Sequence, residues 1–372
     1  MSLLLNGKFV GQRTTGVQRF ARELVIALDA LLGTPEFAFA DGAFRLAVPD
    51  ASADAVPRLE RIGVLRVPGI AGHRWEQFAL PLAARGSVLV NLSGGFPALK
   101  TGQVCVLHDA AVFDQPQAYR AAFIAWYRTL FRLQARNSRL LLTISEFSRA
   151  RLAANLGIDA ARLRVMPCGG DHILRPAADD AVLRRLGLAP QAYLLAVGSA
   201  NPTKNFPALV QAFRSLPADC GVRLVIVGGI NSAVFAGGAV GTVVSDERLT
   251  LAGSVSDGEL RALYSHALAF VFPSTYEGFG IPPLEAMACG CPVLASTAPA
   301  VVETCGDAAL YFDPLDVPAI ADALERAIRD SELRATLSRA GARRAARFTW
   351  EHAARRLLEH LAAAGLVEDK IS

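Results

Sequence analysis

The sequence predicts an α/β protein made of two doubly wound domains, each with a parallel sheet covered by helices. Strand-like apolar runs alternate with helix-like segments along the chain, which is typical of parallel sheets. The second half repeats this alternation, and a polar segment bracketed by prolines lies between the halves. A chain of 372 residues, 52% of them hydrophobic, is long enough for two packed cores.

The first half begins with a strand rather than a leader peptide. The opening stretch MSLLLNGKFVGQ lacks the charged start and the long apolar run of a secretory signal. Further strands are predicted at FRLAVPD, SVLVNLSG, QVCVLHD, RLLLTIS and LRVMPCGG, and helices from Gly16 to about Leu32 and from Tyr119 to Asn137. Together these elements predict a first domain over residues 1–175.

The second half predicts a domain over residues 185–352. Its strands are expected at AYLLAVGS, VRLVIVGG, RLTLAGSV, ALAFVFPS and CPVLAS. The joint lies near DHILRPAADDAVLRRLGLAPQAY, in which Pro176 and Pro190 bracket a polar, helix-forming segment. The stretch FTWEHAARRLLEHLAAAGLV begins with a capping signal at Thr349 and has the periodicity of an amphipathic helix.

Charge and cysteine content narrow the class of protein. The net charge of +4 is too small to indicate nucleic-acid binding, but it is compatible with an anionic ligand or an anionic membrane surface. No apolar stretch approaches the about 20 residues of a spanning helix, so we expect a cytoplasmic protein. The six cysteines have no metal-ligand spacing, and Asp179 and Asp180 open a helical segment, where carboxylates act as caps. We therefore expect buried free thiols and no metal site.

The stretch FPSTYEGFGIPPLEAMACGCPVLAS places two glutamates near the end of a strand. Apolar runs on both sides predict strands, and the proline pair predicts a short helix that begins at Pro282. Glu277 would then lie in the loop and Glu285 in the first helical turn. Helix N-termini beyond the carboxyl ends of parallel strands bind phosphates, and carboxylates accept hydrogen bonds from sugar hydroxyls. The alternative is that Glu285 complements the helix dipole and Glu277 is a solvated loop residue.

With these two glutamates and the strands around them, the sequence resembles family 4 of the nucleotide-sugar glycosyltransferases. Members of this family are retaining enzymes with the GT-B fold, which consists of two facing Rossmann-like domains. The motifs behind the resemblance are YEGFGIPPLEAMACGCPVLAS, VGSANPTKNFPALVQAF, STAPAVVETCGDAALYFDPLD, HDAAVFDQP and ISEFSRARL. They are spread over nearly the whole chain. The resemblance also implies that a C-terminal helix, residues 353–372, crosses back to pack on the first, acceptor-binding domain.

The resemblance implies roles for the residues of the second domain. Glu285 would hold the ribose hydroxyls of the donor nucleotide, and Glu277 the hydroxyls of the donor sugar. Lys204, which follows a strand, would meet the diphosphate as a compact charge. Taken alone, Lys204 could equally be an exposed loop lysine. The loop residues that would contact the donor are Ser199, Gly278, Phe279 and Gly280.

In the first domain, His108 at the end of QVCVLHD resembles the family histidine that hydrogen-bonds the donor sugar near the reacting carbon. Gly16 matches the N-terminal glycine loop near the phosphates, although an ordinary helix start after Thr15 explains it too. A structural role remains open for His108 and is the preferred interpretation for His172. Neither assignment follows from the residue type alone.

The chain departs from the family pattern directly after the glycine of LLAVGS. Many members have an arginine there, whereas this chain has Ser199, Ala200 and Asn201. The diphosphate would therefore depend on Lys204, on the glycine-loop N–H groups and on another cation. Arg13 and Arg19 are the candidates.

The implied reaction is transfer of a sugar with retention of configuration. Lys204 and helix-end N–H groups would stabilise the departing diphosphate, and the acceptor hydroxyl would attack from the same face. The first expectation for the donor is GDP-mannose, because HRWEQFALP and HDAAVFDQP resemble segments of mannosyl- and rhamnosyltransferases. The acceptor would be a glycan or polyprenyl-linked glycan of cell-surface lipopolysaccharide or exopolysaccharide synthesis. No cofactor or metal is expected.

Other functions remain as alternatives. A nucleotide-sugar epimerase of the same fold needs no acceptor, and a transferase could use a UDP- or dTDP-sugar. A non-catalytic sugar-binding subunit would not need the intact set of His108, Lys204, Glu277 and Glu285. A nicotinamide dehydrogenase is disfavoured because no strand is followed by G-x-G-x-x-G and a helix.

The segment YRAAFIAWYRTLFRLQARNSR raises the question of a membrane contact. On a helix, Arg128, Arg132 and Arg136 would form one basic stripe beside apolar and aromatic neighbours. Either the aromatic residues pack on the first sheet, or the helix docks peripherally on the anionic inner membrane beside a lipid-linked acceptor.

Overall fold

The structure is a computed structural model that describes residues 2–37, 39–40, 42–70, 72–228 and 246–368. The chain divides into two compact units, one made of Met1–Cys168 with Trp350–Ser372 and one made of Gly169–Thr349. The chain passes from the first unit to the second after Cys168 and returns after Thr349. Both points lie a few residues before the predicted limits at 175 and 353. Each unit contains one parallel sheet covered by helices, as the sequence predicted.

The described part of the first unit forms a seven-stranded sheet in the order β3-β2-β1-β4-β5-β6-β7, with every pair parallel. The strands are β1 Ser2–Asn6, β2 Phe44–Pro49, β3 Gly63–Val67, β4 Ser87–Asn91, β5 Val104–Val106, β6 Leu140–Thr143 and β7 Leu163–Val165. The helices are α1 Gly16–Leu32, α2 Leu80–Ala83, α3 Ala111–Asp114, α4 Ala121–Asn137 and α5 Glu146–Leu156. Central strands such as β1 and β4 are almost entirely buried because helices cover both faces.

Within its described residues, the second unit contains a six-stranded parallel sheet in the order β10-β9-β8-β11-β12-β13. The strands are β8 Tyr193–Val197, β9 Arg223–Val227, β10 Leu249–Gly253, β11 Ala269–Phe272, β12 Val293–Ser296 and β13 Ala309–Phe312. The helices are α6 Ala181–Leu186, α7 Phe206–Arg214, α8 Asp257–His266, α9 Ile281–Ala288, α10 Pro299–Cys305, α11 Val317–Arg329 and α12 Ser331–Ala345. The predicted strand VRLVIVGG corresponds to β9, although its last residue, Gly229, lies outside the described residues.

The order of the strands reverses once in each sheet. In the first sheet the reversal lies between β1 and β4, and in the second between β8 and β11. Loops from the carboxyl ends of such a strand pair diverge to opposite faces and leave a crevice, which is where open α/β sheets bind ligands. The fold therefore points to one candidate crevice in each unit.

The C-terminal helix α13, Trp350–Ala363, packs on the first unit, as expected. Trp350 meets the ring of Phe20 on α1 edge to face at 5.8 Å. Arg355 forms a 2.6 Å ion pair with Glu36, and His360 Nε2 donates to the Val165 carbonyl at 3.0 Å. The helix is therefore part of the first unit although the second unit precedes it in the chain.

Within the described residues, no helix combines the length and the apolar character needed to cross a membrane. Four of the cysteines are buried, and the other two, Cys220 and Cys289, are half-buried.

Candidate functional site

Lys204 and Glu277 meet where the strand order of the second sheet reverses. Lys204 follows β8 and Glu277 follows β11, the two strands on either side of the reversal. Lys204 Nζ lies 2.5 Å from Glu277 Oε1 and 5.4 Å from the centre of the Phe272 ring. The side chains of Lys204 and Glu277 are 18% and 14% exposed, so the ion pair is partly open to solvent. Two predicted site residues are thus in direct contact.

Glycines follow the strands beside this ion pair because a side chain would not fit at these positions. A Cβ on Gly198, which follows β8, would lie 3.0 Å from the Phe206 ring and 3.3 Å from Lys204 Cγ. A Cβ on Gly228, which follows β9, would lie 1.9 Å from the Gly198 oxygen, and Gly228 has φ +122°. The crevice is therefore walled by backbone there, which lets a ligand approach peptide N–H groups closely.

The segment from Ser199 to Asn201, which departs from the family pattern, leads into the turn that holds Lys204. Asn201 caps the turn Pro202–Lys204 by accepting hydrogen bonds from Thr203 N and Thr203 Oγ1, both at 3.0 Å. Asn205 then adopts φ +54° and donates to the Pro314 carbonyl at 2.7 Å. Ser199 is exposed on the rim of the same loop.

The loop before α9 presents backbone rather than side chains. Gly280 caps the helix with φ +113°, a conformation that favours glycine. Gly278 and Phe279 are both buried. The Phe279 ring packs on Phe348 at 5.8 Å, and its carbonyl accepts a hydrogen bond from Thr304 at 2.8 Å. The Phe279 side chain therefore belongs to the core, and only its backbone is suited to a ligand.

Glu285 lies deeper than predicted. The helix begins at Ile281, one residue before the predicted start, so Glu285 falls in the second turn and the expected first-turn position is wrong. Its Oε1 lies 2.9 Å from His172 Nε2, and its Oε2 accepts a 2.9 Å hydrogen bond from the Tyr264 hydroxyl. The side chain is only 8% exposed. Glu285 is thus not a simple partner of the helix dipole.

The contact between His172 and Glu285 depends on a glycine. A Cβ on Gly170 would lie 2.7 Å from Leu284 Cβ, so the chain before His172 can press against α9 only without a side chain there. Burial, together with the Glu285 carboxylate, raises the pKa of Tyr264 well above its ordinary value, which keeps its hydroxyl a donor. Tyr264 was missed from the sequence, since nothing in its local pattern distinguishes it from a core residue.

His108 lies in the first unit, just after β5. Its Nε2 is 2.8 Å from the Leu92 carbonyl, and its ring meets Phe20 edge to face at 4.8 Å. Burial lowers the pKa of His108 from 6.5 to about 4, so the ring is neutral at physiological pH. Because a carbonyl only accepts, Nε2 holds the proton and Nδ1 presents a lone pair.

Gly16 is the first residue of α1, and an added Cβ there would meet no atom within 4 Å. Thr15 occupies the capping position, but its hydroxyl donates to the side chain of Gln18 on α1 instead of accepting from the helix backbone. Of the two candidate cations nearby, Arg19 lies 3.6 Å from Glu23 one turn along α1, and Arg13 is exposed. The backbone at the start of α1 is therefore accessible on the surface of the first unit.

Comparisons with known proteins agree with this architecture. Residues 184–344 match the family model of the glycosyl transferases group 1. O-antigen chain mannosyltransferase B of Escherichia coli is 33% identical over 257 residues, which is 67% of this chain and 67% of that protein. O-antigen chain mannosyltransferase RfbU of Salmonella typhimurium is 28% identical over 221 residues, and the match spans 59% of this chain and 58% of that relative.

Among solved structures, sucrose-phosphate synthase from Thermosynechococcus elongatus superposes with a TM-score of 0.74 at 21% identity, over 98% of this chain and all of that one. This likeness concerns the fold, which is GT-B. Nothing in the comparisons supports the epimerase alternative. The chain belongs to the group 1 glycosyl transferases.

Proposed function

We propose that this glycosyltransferase transfers mannose from GDP-mannose, with retention of configuration, to a glycan acceptor in cell-surface polysaccharide synthesis. The observation behind the proposal is the partly open Lys204–Glu277 ion pair beside glycine-walled strand ends at the reversal of the second sheet. The choice of mannose is supported by two relatives whose names describe O-antigen chain mannosyltransferases. That activity is theirs, and its transfer to this chain is part of the proposal.

Lys204 has the chemistry that a departing diphosphate needs. Its ammonium group has three donors, so it can keep Glu277 and still donate to a phosphate oxygen. Peptide N–H groups at the crevice add donors that do not have to reorganise as charge develops. We therefore expect no requirement for a metal ion, and activity in the presence of a chelator.

The two carboxylates have separate tasks in the proposal. Glu277 lies at the mouth of the crevice and would accept hydrogen bonds from donor-sugar hydroxyls. Glu285 is held between His172 and Tyr264, and in the proposal this positioned carboxylate accepts hydrogen bonds from the ribose hydroxyls of the nucleotide. His172 and Tyr264 would then fix the orientation of that carboxylate before the nucleotide arrives.

The acceptor hydroxyl would attack on the face from which the diphosphate leaves. His108 is neutral in the first unit, so its Nδ1 would accept a hydrogen bond from a sugar hydroxyl rather than donate one. No enzyme nucleophile is assigned. The assignment to family 4 and the retaining outcome are both part of the proposal.

A panel of donors tests the choice of nucleotide and sugar. GDP-mannose should raise the midpoint of thermal unfolding more than UDP- and dTDP-sugars do, because a ligand that binds only the folded state stabilises it. Stabilisation by UDP-sugars alone would overturn the choice of guanine.

We further propose a cytoplasmic location at the membrane face, beside a glycan or polyprenyl-linked acceptor. The predicted basic stripe on α4 needs correction, because Arg128 donates to the carbonyls of Val112 at 2.9 Å and Phe113 at 3.3 Å. Arg132 and Arg136 are exposed, and the side chains of Phe123 and Trp126 are 41% and 39% exposed. A membrane contact would therefore combine two arginines with the apolar first half of α4.

A further inference from the structure

The motif STAPAVVETCGDAALYFDPLD has no task in the proposed function, although it follows residues 274–280, the segment between β11 and α9 that we call the glutamate loop. Its first residue, Ser296, ends β12, and Thr304 lies near the end of α10. Both side chains carry a hydroxyl and are fully buried. Because a buried hydroxyl needs a hydrogen-bond partner, the partners of these two show what the motif holds in place.

The partners are two backbone carbonyls near the two ends of the glutamate loop. Ser296 Oγ donates to the Ser274 carbonyl at 2.6 Å, and Thr304 Oγ1 donates to the Phe279 carbonyl at 2.8 Å. Glu277 lies between these two points in the chain. The motif therefore ties down the loop on either side of the carboxylate.

The first of these contacts also joins the glutamate loop to the turn that holds Lys204. The N–H of the same peptide, Thr275 N, donates to the Thr203 carbonyl at 2.8 Å, and Thr275 Oγ1 donates to that oxygen at 3.3 Å. The C=O and N–H of a planar trans peptide point in opposite directions. The peptide that links Ser274 to Thr275 is therefore held from both sides, by β12 and by the Lys204 turn.

The other end of the loop depends on contacts because its backbone is permissive. Gly280 turns into α9 with φ +113°, a region that glycine enters readily. The residue before it is fixed by its ring, which packs on Phe348, and by its carbonyl, which accepts from Thr304. Anchors outside the loop thus hold the carboxylate in one position.

From these contacts we propose that Ser296 and Thr304 are positioning residues for Glu277. Their hydroxyls hold the glutamate loop so that the carboxylate stays against Lys204 and within reach of the donor sugar. The proposal rests on the proposed function, because the task of Glu277 toward the donor belongs to it. Neither hydroxyl touches the substrate, and both act through the loop.

Thr304→Val is the direct test, because valine keeps the shape of the side chain and removes only the hydroxyl. It should lower kcat about threefold to tenfold, the range expected for one neutral hydrogen bond, and leave GDP affinity unchanged. Thr304→Ser keeps a hydroxyl and should recover most of the rate. Transfer is measured with GDP-mannose and a mannoside acceptor, and GDP affinity by calorimetric titration.

A double-mutant cycle shows whether the hydroxyl acts through the carboxylate. In a Glu277→Ala background, Thr304→Val should have no further effect on kcat, because the group that it positions is gone. Ser296→Ala should behave in the same way, and it decides the matter if Thr304→Val does not fold. Thr304→Val is preferred, since Ser296 Oγ also accepts from Ala298 N at 3.4 Å.

Two matched controls lie in the same unit. Thr250→Val makes the same change on the edge strand β10, where the hydroxyl is buried without a partner among the described residues. Ser338→Ala removes a 2.7 Å hydrogen bond to the Gly290 carbonyl, beyond the opposite end of α9. Both variants should keep the kcat of the wild type.

Three results would overturn the assignment: an unchanged kcat in Thr304→Val, no recovery in Thr304→Ser, or losses that multiply in the cycle with Glu277→Ala. Equal losses of GDP affinity and kcat in Thr304→Val would also count against it, because the loop would then act on the nucleotide. Transfer by the wild type from a nucleotide sugar other than GDP-mannose would instead contradict the proposed donor, and the variants are then compared with that sugar and its nucleoside diphosphate.

Discussion

Glu277 and Glu285 belong to one short motif but have different surroundings. Glu277 is paired with Lys204 at the mouth of the crevice, whereas Glu285 is buried between His172 and Tyr264. At the level of single residues, the structure therefore separates a carboxylate that is accessible from one that is held in place.

Replacing these carboxylates should have different effects on nucleotide binding. Glu285→Ala should weaken GDP and GDP-mannose alike and lower the free energy of unfolding by about 1–3 kcal/mol, because the buried Tyr264 hydroxyl loses its acceptor and His172 loses the carboxylate beside it. Glu277→Ala should spare GDP affinity and lower kcat. Calorimetric titration with GDP measures the first effect, with Glu332→Ala on the exposed side of α12 as the control.

His172 supplies the complementary variants for the same prediction. His172→Phe removes the ring nitrogen that lies 2.9 Å from Glu285 Oε1 and should reduce GDP affinity, while His172→Gln keeps a polar group beside the carboxylate and should restore part of it. Equal loss of GDP affinity in Glu277→Ala and Glu285→Ala would contradict the separation of roles.

His108 predicts a pH dependence of stability. Its pKa falls from 6.5 in the unfolded chain to about 4 in the folded protein, so between these values the unfolded state binds more protons. The free energy of unfolding should therefore fall as the pH is lowered from about 6.5 to about 4. Relative to His108→Gln, the wild type should lose about 2 kcal/mol between pH 7 and 5 in urea unfolding. Parallel pH profiles of the two proteins would show that His108 is not buried in its neutral form.

At the level of elements, most strands could be predicted because central parallel strands are continuous apolar runs. The strands that were not predicted, β3 and β13, both lie at an edge of their sheet and are partly exposed. Arg66 interrupts the apolar run of β3, whereas β13 is the short apolar run ALYF and was overlooked. The start of α9 was displaced by one residue because Gly280, rather than the prolines, sets it. Lys204 and Glu277 could be assigned to one site through the family resemblance, but the contacts of Lys8 with Glu76 and of His172 with Glu285 join distant segments with no local signal.

Helix α4 yields a prediction about the membrane. Vesicles containing anionic lipid should bind the wild type at low salt, because each basic group near such a surface contributes about 1 kcal/mol. Binding should fall in Arg132→Glu with Arg136→Glu, and also in Phe123→Ser with Trp126→Ser, when measured by co-sedimentation.

The matched control is Arg339→Glu with Arg343→Glu, which changes two exposed arginines at the same spacing on α12. If both α4 variants sediment as the wild type does, this helix is not the membrane contact. Arg128 is left unchanged, since its hydrogen bonds to the Val112 and Phe113 carbonyls belong to the fold.

At the level of the whole molecule, the two units follow one plan. In each, a lysine that follows the strand before the reversal is paired with a glutamate, Lys8 with Glu76 and Lys204 with Glu277. The pair in the first unit is buried and neutralised, whereas the pair in the second is partly open. The pair in the second unit is the more accessible of the two, which is consistent with the proposed contact of Lys204 with a diphosphate.

The central claim is transfer of mannose from GDP-mannose with retention, and NMR of the product formed with a mannoside acceptor tests it most directly. The predicted result is a new glycosidic bond with the anomeric configuration of the donor, formed without added metal and slowed about a hundredfold or more in Lys204→Ala. A product of inverted configuration, or no transfer from GDP-mannose where another nucleotide sugar reacts, would contradict the account.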